Sequence, residues 1–238
     1  MKGELKVKIG LFADPHFSSA DVTCTNRYNN KSLRKIEEAC KFFAENKCDL
    51  VVCLGDLIDQ EENHTDEIAN LKKISKIFSQ YEMKICVVMG NHDCGACDKE
   101  EFYEVLGQQY RPENIYCKSK NIIFVDACYY ENGMSYKRGF ADWTNTFFPK
   151  TEELQKILSE VDGDSYIFMH QNIDPDIRSD HRVFNDDKIR EILETSNKVK
   201  AVFQGHYHSG HMSEVNGIRY ITYPAMCETE QAYFLFEI

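Results

Sequence analysis

The chain has 238 residues, a formal net charge of −11 at pH 7 and 42% hydrophobic residues. A chain of this length can bury roughly 70–75% of its unfolded surface, and no linker, repeat or low-complexity stretch divides it, so we expect a single domain over residues 1–238. The negative charge repels polyanions, which argues against double-stranded nucleic acid as a partner, and no apolar run approaches the length of a membrane span.

The first half of the chain alternates between apolar runs and amphipathic segments. These predict a strand over 5–13, a helix over 31–46, a strand over 50–54, a helix around 68–78, a strand over 84–89 and a short helix over 100–106. Asn63 and Thr65 are the candidate caps of the second of these helices. Alternation of strands with helices favours parallel pairing of the strands.

The second half of the chain places predicted strands next to each other. A turn at 119–121 separates strands over 115–117 and 122–127, and further strands are predicted over 166–169, 199–203, 219–223 and 233–236. Helices are predicted from a cap at Thr151 to about 161 and after Asn185, whereas 129–148 shows no periodicity. The whole pattern predicts an α/β fold with four layers, an α-β-β-α sandwich of two mixed β-sheets.

Five short polar motifs each lie at or just after a predicted strand. They are Asp14-Pro15-His16, Gly55-Asp56-Leu57-Ile58-Asp59, Gly90-Asn91-His92-Asp93, Met169-His170 and Gly205-His206-Tyr207-His208. An open α/β sheet gathers its active site at the carboxyl ends of its strands, so we expect the motifs to meet. As candidate ligands they supply two Asp, one Asn and four His, a set suited to manganese, iron or zinc. The chain is therefore predicted to be a two-metal hydrolase that cleaves phosphoesters.

The order of these motifs resembles that of a known family. The pattern D-x-H, G-D-x-x-D, G-N-H-D, H and G-H-x-H, which runs from Asp14 to His208, resembles the calcineurin-like metallophosphoesterases. A looser likeness, to the manganese-dependent ADP-ribose/CDP-alcohol diphosphatases, is carried by Arg27-Tyr28, Ser32-Leu33, the run from Gly205 to Gly210 and Cys227-Glu228-Thr229. Those diphosphatases often carry Gln where this chain has His16.

The resemblance implies a ligand set for two divalent or transition-metal ions, with manganese first and iron or zinc as alternatives. One ion would be held by Asp14, His16, Asp56 and His208, and the other by Asp56, Asn91, His170 and His206. Asp56 would bridge the two ions, and a bridging water or hydroxide would attack phosphorus in line.

Other polar residues near the motifs are candidates for catalysis or substrate binding. His92 could protonate the leaving oxygen, with Asp59 orienting it. Arg27 is a candidate phosphate contact, and His211 a candidate substrate contact, although an exposed loop histidine is the plainer reading of His211. His181 is expected to face solvent or the mouth of the site.

These features predict hydrolysis of a phosphodiester, phosphomonoester or diphosphate bond in a small, nucleotide-like substrate. The alternatives are a nuclease or a protein phosphatase of the same fold, or a non-catalytic interaction scaffold. No membrane partner is expected, and nothing in the pattern predicts the oligomeric state. Substrate choice is expected to depend on the loops at 17–30, 129–148 and 172–185.

Ten cysteines are present, and several fall inside apolar strands or helix faces, where a thiol acts as a small hydrophobe. The charged segment at 1–8 does not resemble a secretory leader, so we expect reduced thiols and a cytoplasmic location. Cys94 and Cys97 form one C-x-x-C pair. We expect two ordinary thiols in a loop, with a redox pair or a metal clip as alternatives, and we expect His64 at the surface.

Overall fold

Two β-sheets and two layers of helices make up the structure. This computed structural model describes residues 6–19, 26–139, 142–144 and 146–238. Within them the strands are β1 (Lys8–Phe12), β2 (Leu50–Cys53), β3 (Ile85–Val87), β4 (Ile115–Cys117), β5 (Lys120–Phe124), β6 (Ser165–Phe168), β7 (Val199–Gln204), β8 (His211–Val215), β9 (Ile218–Thr222) and β10 (Phe234–Glu237). The α-helices are α1 (Asn29–Glu45), α2 (His64–Phe78), α3 (Asn91–Ala96), α4 (Lys99–Leu106), α5 (Thr151–Glu160) and α6 (Asp186–Ser196).

The strands form two sheets, and both sheets are mixed. In the first sheet the order is β10-β1-β2-β3, with β1, β2 and β3 parallel and β10 antiparallel to β1. In the second the order is β4-β5-β6-β7-β9-β8. Here β5, β6, β7 and β9 are parallel, whereas β4 and β8 run antiparallel to their neighbours at the two edges. The prediction of two mixed sheets is confirmed.

Alternate residues of the strands make the contact between the two sheets. Val52 of the first sheet and Phe168 and Phe203 of the second belong to one buried cluster, and the two phenylalanine rings stack 4.7 Å apart. The helices cover the outer faces. A Cβ at Gly10 of β1 would stand 2.5 Å from the ring of Phe43, so the glycine lets α1 pack closely on this sheet. On the other side α6 packs on β7 and beside α5, which completes the predicted α-β-β-α layers.

Several elements differ in their bounds from the predicted ones. Helix α1 begins at Asn29, before the predicted 31, and the strands predicted over 5–13 and 84–89 are shorter in the structure. Strand β8 was not predicted, because only its pairing with β9 identifies it. Residues 1–5, 20–25, 140–141 and 145, which fall in the first predicted strand and in predicted loops, lie outside the described part of the chain. Among the described residues, no helix has the length and apolar character needed to cross a bilayer.

A short helix, α3, occupies the segment where we predicted a loop. Cys94 lies in α3 and Cys97 directly follows it, and both side chains are buried. The helix has six residues and no apolar periodicity, so the pattern could not predict it. Its first turn is held by Asp93, whose carboxylate accepts hydrogen bonds from the backbone N–H groups of Gly90 (2.9 Å) and Ile58 (3.1 Å). The prediction that both cysteines lie in a loop is therefore wrong.

The two helix-cap predictions have different outcomes. The side chain of Asn63 accepts a hydrogen bond from the backbone N–H of Asp66 at 3.1 Å, so Asn63 rather than Thr65 caps α2. Thr151 is the first residue of α5 rather than its cap, and the preceding Lys150 makes no side-chain cap bond.

Replacement of Asn63 by alanine should lower the free energy of unfolding by about 1 kcal/mol, because the N–H of Asp66 loses its side-chain acceptor. For a domain of this size, that loss lowers the melting temperature by roughly 2–4 °C. Thermal unfolding followed by circular dichroism measures the change. Thr65→Ala is the matched control and should not lower the melting temperature, since alanine favours helix interiors. Equal losses in the two variants would contradict the cap assignment.

Candidate metal centre

The five motifs meet at one end of the sandwich. They follow β1, β2, β3, β6 and β7, and parallel strands of a sheet end at the same edge. Backbone hydrogen bonds join the loops to one another. The N–H of His16 donates to the carbonyl of Asp56 at 2.8 Å, and the N–H of Gly205 donates to the carbonyl of His170 at 3.0 Å. Backbone hydrogen bonds alone thus fix the loops relative to one another.

The backbone of these loops adopts an uncommon conformation at four of the candidate residues. Asp14, His16, Asp56 and His206 have φ angles of 50°, 44°, 50° and 66°, in the left-handed region. Residues other than glycine enter this region at a cost of order 1–3 kcal/mol, and such positions cluster at functional sites. Four of the nine non-glycine residues with positive φ in the described part of the chain therefore lie where the motifs converge.

Two glycines of the motifs leave room for side chains of other motifs. A Cβ at Gly90 would stand 2.1 Å from Oδ1 of Asp56, and a Cβ at Gly205 would stand 2.7 Å from Oδ2 of Asp14. Gly90 has a φ of −100°, which any residue can adopt, so the absence of a side chain matters there for space alone. The glycines in the motifs therefore permit the close approach of the carboxylates.

The first cluster of side chains contains Asp14, His16, Asp56 and His208. Nε2 of His16 lies 3.2 Å from Nε2 of His208 and 3.4 Å from Oδ2 of Asp56. Nε2 of His208 lies 3.6 Å from Oδ1 of Asp14. Asp14, His16 and Asp56 are buried. Four side chains from three motifs thus direct nitrogen and oxygen atoms at one point.

The second cluster shares Asp56 and adds Asn91, His170 and His206. Nε2 of His170 lies 3.3 Å from Oδ2 of Asp56 and 3.2 Å from Oδ1 of Asn91. The rings of His170 and His206 lie 5.1 Å apart. Nε2 of His206 is buried and has no hydrogen-bond partner among the described residues. The second cluster therefore presents an unpartnered polar atom where protein interiors rarely leave one.

Hydrogen bonds on the far side of two imidazoles show which of their atoms face the clusters. Nδ1 of His170 lies 2.7 Å from the carbonyl of Leu54, to which it can only donate, so in the neutral imidazole Nε2 is left with a lone pair. Nδ1 of His208 is 2.6 Å from Oε1 of Glu228, with the same consequence. The Nε2 lone pair of His170 then faces Oδ1 of Asn91, and that of His208 faces Nε2 of His16. Opposed acceptors repel each other unless a cation lies between them, so the residues fit bound metal ions.

The protonation of the clustered histidines also fits a site for metal ions. Burial lowers the pKa of His16 to about 3, and burial also lowers the pKa of His206 well below its usual value, so both imidazoles are neutral, as metal ligands must be. Burial works to lower the pKa of His170, but the carboxylates of Asp56 and Asp14 outweigh it and raise that pKa to about 10, so without a metal ion a proton on Nε2 supplies the positive charge between these acceptors. The site therefore favours positive charge strongly.

His92 lies beside the clusters and pairs with Asp59. Nδ1 of His92 is 2.6 Å from Oδ1 of Asp59, and the ring lies 4.5 Å from that of His16. The amide of Asn29 donates to the other oxygen of Asp59 at 3.0 Å and holds that carboxylate in place. Burial works to lower the pKa of His92, but Asp56 and Asp59 raise it overall. The imidazole is 22% exposed and so remains accessible from outside.

A cavity of about 460 Å³ opens onto the clusters. Besides residues of the motifs, it is lined by Arg27, Trp143, His181, Tyr207 and Ser209. Arg27 and His181, two of the residues singled out in the sequence, thus both line this cavity. A cavity of this size suits a small molecule rather than a polymer.

His211 lies elsewhere. It belongs to β8 rather than to a loop, and it is not among the described residues that line the cavity. Its Nε2 is 3.9 Å from Oδ2 of the buried Asp174.

His64 is half-buried rather than at the surface. Its two ring nitrogens lie 2.9 Å from Glu67 and 2.8 Å from Glu101, and Nε of Arg138 also contacts it. Donor atoms of His64, Glu101 and Cys97 lie within 4.8 Å of one another. The guanidinium already supplies the positive charge there, so this cluster is satisfied without a metal.

Sequence reasoning assigned no role to several residues that the structure brings to the site. Glu228 belongs to a tripeptide noted only for its resemblance to other proteins. Trp143 lies in a segment without periodicity, although it is the single tryptophan of the chain. Asn29 and Asp93 act through backbone and carboxylate contacts that no spacing in the sequence indicates.

Comparisons with known proteins agree with the fold and the motifs. The sequence profile of the calcineurin-like phosphoesterases matches residues 7–210. A comparison with curated proteins gives no match.

Many solved structures share the fold. A dimetal phosphatase from Danio rerio has a TM-score of 0.80 at 16% identity, over 96% of this chain and 91% of that chain. GAP50, described as the anchor in the inner membrane complex of Plasmodium, has a TM-score of 0.64 at 12% identity, over 98% and 81%. A phosphopantetheinyl hydrolase from Mycobacterium tuberculosis has a TM-score of 0.61 at 10% identity, over 99% and 96%. The profile match spans most of the sequence, and the chain belongs to the calcineurin-like phosphoesterase family and is a metal-dependent phosphoesterase.

Proposed function

We propose that this chain hydrolyses a phosphodiester, phosphomonoester or diphosphate bond of a small, nucleotide-like substrate, with two bound metal ions. The observation that carries the proposal is the set of acceptor atoms that face one another at the strand ends, in a chain of the phosphoesterase family. We propose manganese as the metal, with iron or zinc as alternatives, since mixed nitrogen and oxygen ligands suit all three.

The two clusters supply the ligands in this proposal. The first ion would be held by Asp14, His16, Asp56 and His208, and the second by Asp56, Asn91, His170 and His206. The shared role of Asp56 is supported by the position of its Oδ2, 3.4 Å from Nε2 of His16 and 3.3 Å from Nε2 of His170. Bound ions of this kind stabilise charge on phosphoryl oxygens and lower the pKa of water. The protein's part is to hold the ligands and the substrate in fixed positions.

We propose His92 as the residue that gives a proton to the leaving oxygen, with Asp59 as the residue that orients it. Nδ1–H of His92 is directed at Asp59, so Nε2 is the atom available to hold a proton towards the cavity. The backbone N–H of His92 donates to Oδ1 of Asp56 at 2.8 Å, which fixes the start of the side chain. Such an acid contributes by proton transfer to the departing group.

Arg27 and His211 receive different roles in the proposal. Arg27 lines the cavity, and its guanidinium suits the recognition of phosphate oxygens. We propose that His211 pairs with Asp174 rather than with substrate, because Asp174 is buried and His211 lies within 3.9 Å of it.

An aromatic wall on one side of the cavity supports a substrate with a planar ring. Trp143, His181 and Tyr207, which we call the ring wall, all line the cavity. The ring of His181 lies 5.2 Å from that of Trp143, 5.1 Å from that of Tyr207 and 5.6 Å from that of His206. Trp143 is 45% exposed, which leaves aromatic surface for a ligand. A phosphate at the clusters and a nucleobase on the ring wall would fill such a cavity.

The alternative functions have less support. Among the described residues that line the cavity, Arg27 is the one arginine or lysine, whereas a nuclease needs a row of cations along its groove. A protein phosphatase needs room for a polypeptide, and the cavity of about 460 Å³ suits a small molecule. A non-catalytic scaffold has no use for opposed acceptors on strained backbone, which this chain retains.

We also propose a cytoplasmic location. The cysteines of the described residues are free thiols, and most of them are buried. Reducing compartments keep such thiols unpaired.

The proposal is tested by loading the purified chain with Mn²⁺ and assaying bis-p-nitrophenyl phosphate, ADP-ribose and cyclic nucleotides. We expect metal-dependent turnover of at least one of them, lost with a chelator and restored by Mn²⁺, and about two ions per chain by metal analysis. Two bound ions without turnover of any phosphate ester would contradict the enzymatic function.

His92→Ala should lower the rate by roughly 10²–10⁴-fold while both metal ions remain bound, because a general acid is lost and no ligand is. The loss should be smaller for p-nitrophenyl esters, whose leaving group hardly needs a proton. Asp56→Asn is the contrasting variant and should lose metal and activity together. If His92→Ala empties the site, His92 is a ligand; if it slows good and poor leaving groups equally, His92 binds phosphate instead.

Trp143 should report the binding of a planar ring, because it is the only tryptophan in the chain. AMP should quench its fluorescence, whereas ribose 5-phosphate, which lacks the ring, should not. Trp143→Leu should raise the inhibition constant of AMP roughly 10-fold or more, as expected from the stacking energy of a base on an aromatic ring. The constant for ribose 5-phosphate should stay unchanged, and parallel changes for the two ligands would contradict a ring subsite.

A further inference from the structure

Glu228 makes a short contact with a side chain of the first cluster although it lies beyond the residues that match the family profile, 7–210. Its Oε1 is 2.6 Å from Nδ1 of His208. The Glu228 side chain is 27% exposed. At this short distance the imidazole N–H donates to the carboxylate, and hydrogen bonds to carboxylates are among the strong ones.

The segment that carries Glu228 is held against the site by its backbone. The N–H of Cys227 donates to the carbonyl of Asp14 at 3.2 Å, and the N–H of Ala225 donates to the carbonyl of His208 at 3.0 Å. The buried ammonium group of Lys35 donates to the carbonyls of Met226 and Thr229, at 2.8 Å each. The position of Glu228 is thus set by the same loops that carry the first cluster.

The bond to Glu228 determines what His208 can do. With Nδ1 bound as a donor, Nε2 keeps its lone pair and faces Oδ1 of Asp14 and Nε2 of His16. Without that anchor the ring could rotate or change its tautomer, and either change would take the Nε2 lone pair away from the cluster.

Arg27 links this pair to a second one. Its Nε lies 3.8 Å from Oε1 of Glu228, and its NH1 lies 3.9 Å from Oδ2 of Asp59. Asp59 orients His92 in the same way as Glu228 orients His208, through Nδ1. One guanidinium thus lies between the two carboxylates that accept the imidazole N–H groups.

We propose that Glu228 is a positioning residue for His208, and that Arg27 couples it to Asp59. The inference rests on the proposed function in taking His208 as a metal ligand. One charged unit, carboxylate–guanidinium–carboxylate, then orients both the imidazole that holds a metal and the imidazole that handles the proton. A carboxylate behind a metal-bound histidine fixes its orientation and raises its basicity.

The test measures the affinity for Mn²⁺ by titration calorimetry in the absence of substrate. Glu228→Ala should weaken the binding of Mn²⁺ by roughly 10–100-fold, the usual cost of losing a partner behind a histidine ligand. Glu228→Gln should lose less, because its amide oxygen still accepts the N–H of His208. Glu230→Ala is the matched control, with the same change of charge at an exposed position two residues away, and should bind Mn²⁺ normally.

Melting temperatures establish that each variant is folded, and Glu228→Gln keeps the test informative if the alanine variant is unstable. Affinities of Glu228→Ala and Glu230→Ala that are alike would overturn the proposal. An inactive parent chain that nevertheless loses Mn²⁺ affinity in Glu228→Ala would contradict the proposed function and leave the positioning role intact.

The link through Arg27 is tested by a double-mutant cycle on the same affinity. Arg27→Gln should weaken Mn²⁺ binding several-fold in the parent chain and much less in Glu228→Ala, because the carboxylate it holds is then gone. Strictly additive losses would show that Arg27 acts independently of Glu228.

Discussion

Acceptor atoms that face one another are the constraint on which the rest of this structure depends. His170 and His208 each donate one ring N–H to an anchor behind them, Leu54 or Glu228, and direct the other nitrogen at further acceptors. If the loops were free to move, each of these acceptors would turn away from the others. The loops are held because they follow strands that are paired within a sheet, and because backbone hydrogen bonds join the loops to one another.

The architecture could be predicted largely from the periodicity of apolar residues in the sequence. Most helices and strands bury one face, and the apolar residues lie on that face. The two sheets and their outer helices follow from that pattern. Strand β8 and helix α3 do not follow from it. Strand β8 alternates between half-buried and exposed positions and exists because β9 offers it a partner. Helix α3 is set by a single buried carboxylate, Asp93, that joins two loops, and such tertiary control leaves no period in the sequence.

The candidate ligands could be predicted because each one follows a strand within a few residues, and local spacing survives in the sequence. The residues that hold these ligands in place could not be predicted. Glu228 lies 20 positions from His208, so only the folded chain relates the two. Trp143 is similar, since its place beside the cavity depends on the path of a loop with no regular structure. His211 was predicted to contact substrate from its nearness to a motif along the chain, and the structure places it in β8, away from the described residues that line the cavity.

The segment around Glu228 also has a consequence for biosynthesis. It joins β9 to β10, and β10 pairs with β1, so this part of the chain is synthesised after all the strands of the second sheet. A nascent chain that has left the ribosome only as far as β9 has an unpaired edge on β1. It also lacks Glu228, the hydrogen-bond partner of Nδ1 of His208. Until β10 emerges, that open edge is the point at which pairing errors would begin. The candidate metal centre is therefore complete only once the segment around Glu228 has been synthesised and has packed against the first motif.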